Sequence, residues 1–263
     1  MHESVEVRTT TNDFLKKSPR ASRSLLLGLV LFASLLVLAG CVDFLSGRDS
    51  DIKDATQALE TARDNAQRAK AYSSRGTAYS EKARYSRAIK RIPADEYEHL
   101  FNLAIKDHNQ AVTLNPTSAE VYFNRAQTYY DRATWDLVEH KRSSKTWFDA
   151  AALDFEKAIE KDPQNYLAFD RLGLTYEQND QADKAIQAYT HEMAFDSLGK
   201  QRLADVYCNI GLQHQQQKDF AAAAAAYRKS IEFGVADDKS CPVEPSGNLK
   251  WIEQQKKESA RAN

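Results

Sequence analysis

Four segments of this chain repeat one spacing of small and aromatic residues, and this repetition restricts the fold more than any other feature. Each segment places an aromatic residue four residues before a small one, and later an alanine four residues before a second ring. The aligned residues are Tyr72, Gly76, Ala104 and His108; Tyr122, Ala126, Ala151 and Phe155; Phe169, Gly173, Ala185 and Tyr189; and Tyr207, Gly211, Ala223 and Tyr227. Such self-similarity predicts a chain of equivalent structural units.

The repeated spacing is helical, and its residue sizes suit close packing. Residues three and four apart share one face of a helix, so each block predicts a helix with a stripe of small and aromatic side chains. One helix pair cannot bury its own apolar face, so neighbouring pairs must stack on it. With 9 Gly and 6 Pro among 263 residues, the chain is also poor in turn residues. The prediction is therefore all-α.

These positions resemble the tetratricopeptide repeat, a helix–turn–helix unit of about 34 residues. The resemblance implies a right-handed superhelical solenoid of helix hairpins within 51–263. The repeats are expected at about 69–118, 119–165, 166–199 and 204–237. A last amphipathic helix at about 248–260, with Trp251 and Ile252 on its apolar stripe, is predicted to cap the stack.

The first two repeats are longer than the others. Gly76 and Ala104 are 28 residues apart and Ala126 and Ala151 are 25 apart, whereas the equivalent residues of the third repeat are 12 apart. The inserted residues remain compatible with helices, so we expect two elongated hairpins. The elongated part, called the ridge below, is either a structural extension or a surface for partner docking. Seven residues are predicted to hold it together: Tyr85, Ile89, Leu100, Phe101, Trp135, Leu137 and Trp147.

The early hairpins also carry matched charges. Arg75 and Arg125 precede the small residue of the first helix, and Asp107 and Asp154 lie on the second helix. The later repeats have a branched aliphatic residue and an alanine at these positions. Charge is thus matched with charge and apolar with apolar. We predict a structural ion pair inside each early hairpin, with no catalytic role.

The beginning of the chain has the order of an export signal. Basic residues precede an apolar run at 25–42, which contains Leu38-Ala39-Gly40-Cys41. This junction resembles the lipobox of bacterial lipoproteins, in which the cysteine is acylated and becomes the first residue of the mature protein. The resemblance implies a signal peptide at 1–40, lipidation of Cys41 and a tether at 41–50. An uncleaved single-pass signal anchor and a buried core helix are the alternatives, because the run is at the short limit of a membrane span.

Both anchored readings place the solenoid outside the cytoplasm, facing the periplasm of a bacterial cell envelope. Val42 follows Cys41, where inner-membrane lipoproteins of enteric bacteria carry aspartate, so the outer membrane is favoured over the inner. In that oxidising compartment Cys208 and Cys241 form a candidate disulfide. Free thiols in separate pockets are the alternative.

The resemblance also predicts where partners bind. In tetratricopeptide proteins the first helices of the hairpins line a groove that accepts peptides, chiefly through the second, fifth, ninth and twelfth positions of each repeat. Here those positions include Lys70, Ser73, Thr77, Glu120, Phe123, Gln127, Tyr130, Asp170, Leu174, Glu177, Leu212 and Gln215.

No motif in the sequence indicates a catalytic residue or a cofactor. The six histidines lack metal-ligand spacing, so no metal site is predicted either. A formal net charge of −1 argues against nucleic acid as a partner. We therefore predict a non-enzymatic, membrane-anchored scaffold that binds other envelope proteins or peptides. Two alternatives stay open: an envelope component that associates with its own copies, and an enzyme whose site converges only in the folded chain.

Overall fold

The computed structural model describes residues 46–88, 93–140, 144–234 and 243–262. Every regular element in these ranges is helical. The helices are α1 (46–61), α2 (Asn65–Ala88), α3 (Ala94–Leu114), α4 (Ala119–Trp135), α5 (Lys145–Lys161), α6 (Tyr166–Gln178), α7 (Ala182–Glu192), α8 (Ser197–Gln216), α9 (Phe220–Phe233) and α10 (Pro245–Ala262). A π-helical turn, Asp136–His140, continues α4. The predicted signal peptide, Cys41, Ile89 and Cys241 lie outside the described residues.

Consecutive helices pack as hairpins: α2 with α3, α4 with α5, α6 with α7, and α8 with α9. Each hairpin packs on the next one, and α10 packs on α9. Side-chain caps fix three of the helix starts, since Asn165, Asp196 and Asp219 accept hydrogen bonds from the backbone N–H groups of Ala168, Leu198 and Ala222. The predicted all-α solenoid of tetratricopeptide hairpins with a capping helix is thus confirmed.

The first two hairpins are the long ones, as predicted. α2 and α3 contain 24 and 21 residues, against 13 and 11 in α6 and α7. The inserted residues lengthen the helices, and the breaks fall just before α3 and α5, where Pro93 and Ser144 stand at the N-cap positions. The ridge therefore consists of the parts of α2, α3, α4 and α5 that lie next to the breaks before α3 and α5.

Each hairpin is closed by a small residue packed against a ring. A β-carbon added to Gly76 would stand 2.8 Å from Nε2 of His108, and one added to Gly211 would stand 2.6 Å from Cε1 of Tyr227. The second hairpin has Ala126 at the same place, fully buried. The repeated pattern in the sequence is therefore a set of equivalent helix–helix contacts.

Trp135 is the centre of the ridge. Its side chain is 2% exposed and its ring lies 5.8 Å from that of Tyr97 and 6.3 Å from that of Phe101. Leu100 and Phe101, both predicted, belong to the same cluster. The half-buried ring of Trp147 stacks on Tyr129 at 5.8 Å.

Two of the predicted ridge residues are exposed rather than buried in the ridge. Tyr85 is 38% exposed and Leu137 is 42% exposed. On α2 the buried stripe passes through Ala83 and Ser86, which turns Tyr85 outward. At the end of α4, Trp135 and Asp136 take the inward positions, which leaves Leu137 facing solvent.

The predicted tether is also shorter than expected, because residues 46–50 are helical and begin α1. Arg48 pairs with Glu81, and Lys82 Nζ lies 2.7 Å from Asp49 Oδ1. These contacts hold α1 along α2 in the antiparallel direction. Residues 41–45 lie outside the described residues.

The capping helix α10 begins at Pro245, three residues before its predicted start. Ile252 is fully buried in a cluster with Tyr227 and Ala224 of α9, whereas Trp251 is 44% exposed. Among the described helices, none is both long enough and apolar enough to cross a membrane.

Candidate functional site

The twelve predicted groove residues lie on α2, α4, α6 and α8, the first helices of the four hairpins. Lys70 and Glu120 are exposed, and most of the others are half-buried. Half-buried side chains on neighbouring helices give a continuous surface whose floor is fixed by packing. Such a surface suits contact with a peptide, which needs both accessible area and rigid walls.

Two of the twelve residues join repeats and are not accessible. Ser73 and Asp170 are each 4% exposed. Asn124 Nδ2 donates to Ser73 Oγ at 3.0 Å, and Arg202 Nε donates to Asp170 Oδ1 at 3.1 Å. Each bond connects the first helices of successive hairpins. These two side chains therefore fix the spacing of the groove and are unsuited to contacting a partner.

The middle of the groove has an aromatic floor. Phe123 contacts Phe155 edge to face at 5.5 Å, and Tyr130 contacts Phe148 in the same way at 5.8 Å. Both Phe155 and Phe148 are almost fully buried, which fixes the two half-buried rings. Edge-to-face pairs of this kind add to the free energy of burial.

Two polar lining residues accept hydrogen bonds from tyrosines on the second helices of their hairpins. Tyr189 Oη donates to Glu177 Oε2 at 2.6 Å, and Tyr227 Oη donates to Gln215 Oε1 at 2.7 Å. Burial raises the pKa of Glu177 above its ordinary value. The same contact thus recurs in the third and fourth hairpins, where a second-helix tyrosine orients a first-helix acceptor. The half-buried residues Leu174 and Leu212 supply the apolar surface on these helices.

Asp131 is a groove residue that the sequence analysis missed. Burial raises its pKa to about 6, against the opposing influence of Arg84 on α2 and Arg171 on α6. Gln127 Nε2 donates to its carboxylate at 3.0 Å. Asp131 is the residue immediately after the predicted lining position of Tyr130. A charged side chain next to that position could have indicated another groove residue in the sequence.

A cleft of about 700 Å³ lies at the N-terminal end of the groove, between α1, α2 and α4. It contains the predicted lining residues Lys70, Thr77 and Glu120. One wall comes from α1, including Arg48 and Asp51, which the prediction assigned to the tether or its junction with the solenoid. The cleft is thus wider than a groove built from first helices alone.

The early hairpins contain the predicted pairs in bidentate geometry. Arg75 donates through Nε and Nη2 to Asp107 at 2.6 and 2.9 Å, and Arg125 donates to Asp154 at the same two distances. The two aspartates are 4% and 2% exposed. The hydrogen bond from Arg75 to Asp107 raises the pKa of that arginine. Both pairs lie inside hairpins, where they connect the two helices.

Two buried titratable groups in the interior have strongly shifted pKa values. His108 is fully buried, and burial, then the charge of Arg125, lowers its pKa to about 3, so the ring is neutral. Glu192 is fully buried, and burial raises its pKa to about 7. In the part of the chain that the structure describes, no group of three or more His, Cys, Asp or Glu could hold a metal ion.

Cys208 is fully buried and disulfide-bonded. The other two cysteines, Cys41 and Cys241, lie outside the described residues. The pairing of Cys208 with Cys241 stays a prediction.

Comparison with known proteins supports the repeats directly. Models of the tetratricopeptide repeat match residues 155–187 and 204–233. Over 89 residues, or 34% of its length, the chain is 30% identical to small glutamine-rich tetratricopeptide repeat-containing protein 2 of Saccharomyces cerevisiae. The matched segment spans 22% of that yeast protein.

Similar solved structures include MamA, with 20% identity and a TM-score of 0.41 over 71% of this chain and 88% of MamA. TTC0263 of Thermus thermophilus has 18% identity and a TM-score of 0.42 over 87% of this chain and 98% of that one. BtubC from P. vanneervenii has 15% identity and a TM-score of 0.42 over 81% and 83%. The matches thus show tetratricopeptide repeats in residues 155–187 and 204–233 of this chain, within its stack of helix hairpins.

Proposed function

We propose that the protein is a lipid-anchored scaffold of a bacterial cell envelope, and that it binds an extended segment of a partner protein in its groove. The observation that carries this proposal is the rigid, half-buried lining of α2, α4, α6 and α8. Its aromatic floor at Phe123 and Tyr130 and its leucines on α6 and α8 would accept apolar side chains. Gln127 and Gln215 would bond to a peptide backbone.

Two features of the chain support the anchored part of the proposal: the junction that ends at Cys41 and the disulfide at Cys208. The Leu38-Ala39-Gly40-Cys41 junction has the pattern of a lipobox. A disulfide at Cys208 fits an oxidising compartment such as the periplasm, because thiols in the cytosol are kept reduced. Val42 after the acylated cysteine favours the outer membrane. Repeat scaffolds of this kind are typically non-enzymatic, and the proposal assigns the protein no catalytic step.

The groove is tested by capturing partners from detergent-solubilised membranes with the full-length protein. Leu174→Arg places a large charged side chain in the lining, whereas Leu153→Arg makes the same change at a 53% exposed position on α5. Proteins that co-purify with the wild type and with Leu153→Arg, but not with Leu174→Arg, bind in the groove. Equal recovery with all three baits would contradict groove binding.

The anchor is tested separately by metabolic labelling with a palmitate analogue. Label on the wild type and none on Cys41→Ala is expected. Equal labelling, or none on either, would exclude lipidation at this cysteine without touching the groove.

A further inference from the structure

The direction of α1 decides which end of the hairpins lies near the anchor. α1 runs antiparallel to α2, since Asp49 pairs with Lys82 and Arg75 Nη1 donates to Thr56 Oγ1 at 3.3 Å. Continued along both helices, this register places Ser46 level with Tyr85. The chain therefore enters the solenoid at the far end of the ridge.

That end of the ridge exposes an unusual group of side chains. Tyr85, Leu137 and Val138 are 38%, 42% and 54% exposed, and the Arg84 side chain is 44% exposed. The guanidinium of Arg84 lies 4.9 Å from the centre of the Tyr85 ring. Trp135, one position before the π-helical turn, packs in one cluster with Ala83. Leu137 and Val138 thus lie at the same height as Arg84 and Tyr85, and these four residues are called the ridge tip.

Chain length limits where a lipid on Cys41 can lie. Cys41 stands five positions before Ser46, and five extended residues span at most about 18 Å. The other end of α1 is farther away, because its 16 residues, 46–61, rise about 24 Å along the helix axis. Cys41 is therefore close enough to Ser46 to lie beside the ridge tip. The same span is shorter than α1, so Cys41 does not reach the turn at the other end of that helix.

We propose that the ridge tip rests on the surface of the lipid bilayer that holds the anchor. This inference rests on the proposed lipidation. Tyrosine favours the membrane interface, aliphatic side chains enter the acyl boundary, and arginine pairs with anionic headgroups. The long hairpins then stand on the membrane, and the groove, which crosses the first helices, runs roughly parallel to the bilayer. This orientation accounts for the elongation of the two hairpins next to α1 at their ridge ends, whereas α8 is extended at its start, at the opposite end of the hairpins.

Quenching of tryptophan fluorescence by brominated lipids tests the contact. The full-length lipidated protein is reconstituted into vesicles of phosphatidylglycerol and dibrominated phosphatidylcholine. Val138→Trp places a reporter at the ridge tip. Leu167→Trp places a matched reporter at the start of α6, at the opposite end of the hairpins, where Leu167 is 46% exposed. The wild-type chain, with its three native tryptophans, supplies the background.

The expected result is a loss of fluorescence in Val138→Trp beyond the wild-type loss, with no excess loss in Leu167→Trp. Equal quenching of the two variants, on protein that floats with the vesicles, would overturn the ridge contact and leave the anchor intact. If the wild type does not float with the vesicles, the anchor fails and the contact fails with it. Circular dichroism of each variant confirms that the reporters leave the helices folded.

Discussion

Gly173 and Tyr189 are packed so closely that a β-carbon on the glycine would stand 2.6 Å from Cζ of the ring. Tyr189 is fully buried, and its hydroxyl group donates to Glu177 at 2.6 Å, so the ring is held at both ends. One contact therefore closes the third hairpin and orients a residue of the groove. The stability of the solenoid and the shape of its binding surface are coupled here.

Gly173→Ala is expected to lower the free energy of unfolding by about 1–3 kcal/mol, because the added methyl group overpacks the hairpin. The intrinsic helix preference of alanine, about 1 kcal/mol, offsets part of this cost. Gly47→Ala is the control, since nothing lies within 4 Å of a β-carbon at that helical position. Urea unfolding should show Gly47→Ala as neutral or slightly stabilising. A neutral Gly173→Ala would contradict the observed contact.

The ion pair of Arg125 and Asp154 should depend strongly on both partners. Their side chains are 15% and 3% exposed. Asp154→Ala leaves a mostly buried guanidinium without its carboxylate, and we expect a loss of about 3 kcal/mol. The double variant Arg125→Leu with Asp154→Ala copies the third repeat, which has Leu172 and Ala188 at these positions. It should be more stable than Asp154→Ala alone.

A double-mutant cycle in urea measures this coupling. If the two single losses add up in the double variant, the bidentate pair contributes nothing specific. The same cycle on Arg75 and Asp107 serves as an internal comparison, because the hydrogen-bond distances match.

The hairpins could be predicted because each depends on residues at fixed separations. Gly173 must be small and Tyr189 large whatever their neighbours are, so the pairing is visible in the sequence. The same reasoning predicted the ion pair of Arg75 and Asp107, because these two repeat positions change together. Both are charged in the early repeats, and both are apolar in the later repeats. Helix elongation followed from the length of the inserts, which are compatible with helices on both sides of their breaks near Pro93 and Ser144.

Features that depend on helix phase or on a single copy could not be predicted in this way. Tyr85 looked like a core residue, yet the buried stripe of α2 passes through Ala83 and Ser86. Asp170 lies at a groove position but bonds to Arg202, which lies in the first turns of α8, a part that α4 and α6 lack. The position of α1 depends on contacts from Arg48 and Asp49, which follow no repeat.

Glu192 should make stability depend on pH. Burial raises its pKa from 4.5 to about 7, with Asp170 of α6 and Asp196 adding to the shift and Arg202 of α8 opposing it. The folded chain thus keeps a proton that the unfolded chain releases. Its stabilising effect is complete below pH 4.5 and is lost as the pH rises to about 7. Glu192→Gln should match the wild type near pH 4.5 and exceed it in stability at pH 8.

Thermal unfolding at a series of pH values measures this difference. Glu232→Gln, at a side chain that is 59% exposed, is the control and should follow the wild-type profile. The raised pKa of Asp131 acts in the same direction in all three proteins, so it cancels in the comparison. Parallel profiles for the wild type and Glu192→Gln would rule out a raised pKa at this residue.

The three tryptophans should differ sharply in their effect on stability. Trp135 is 2% exposed between the rings of Tyr97 and Phe101, so Trp135→Ala should lower the free energy of unfolding by about 3–5 kcal/mol. Trp147 is half-buried against Tyr129, and its loss should cost about 1 kcal/mol. Trp251→Ala, at a 44% exposed position, is the control.

Urea unfolding of the three alanine variants gives the ranking, and Trp135→Phe provides a folded variant if Trp135→Ala does not fold. Capture of partners by Trp147→Ala then separates the two readings of the ridge. If this variant folds and keeps every partner, the ridge at Trp147 is structural or faces the membrane. If it folds but loses partners that Leu153→Arg retains, the ridge itself docks a protein, because the lost stability is too small to explain the loss of binding.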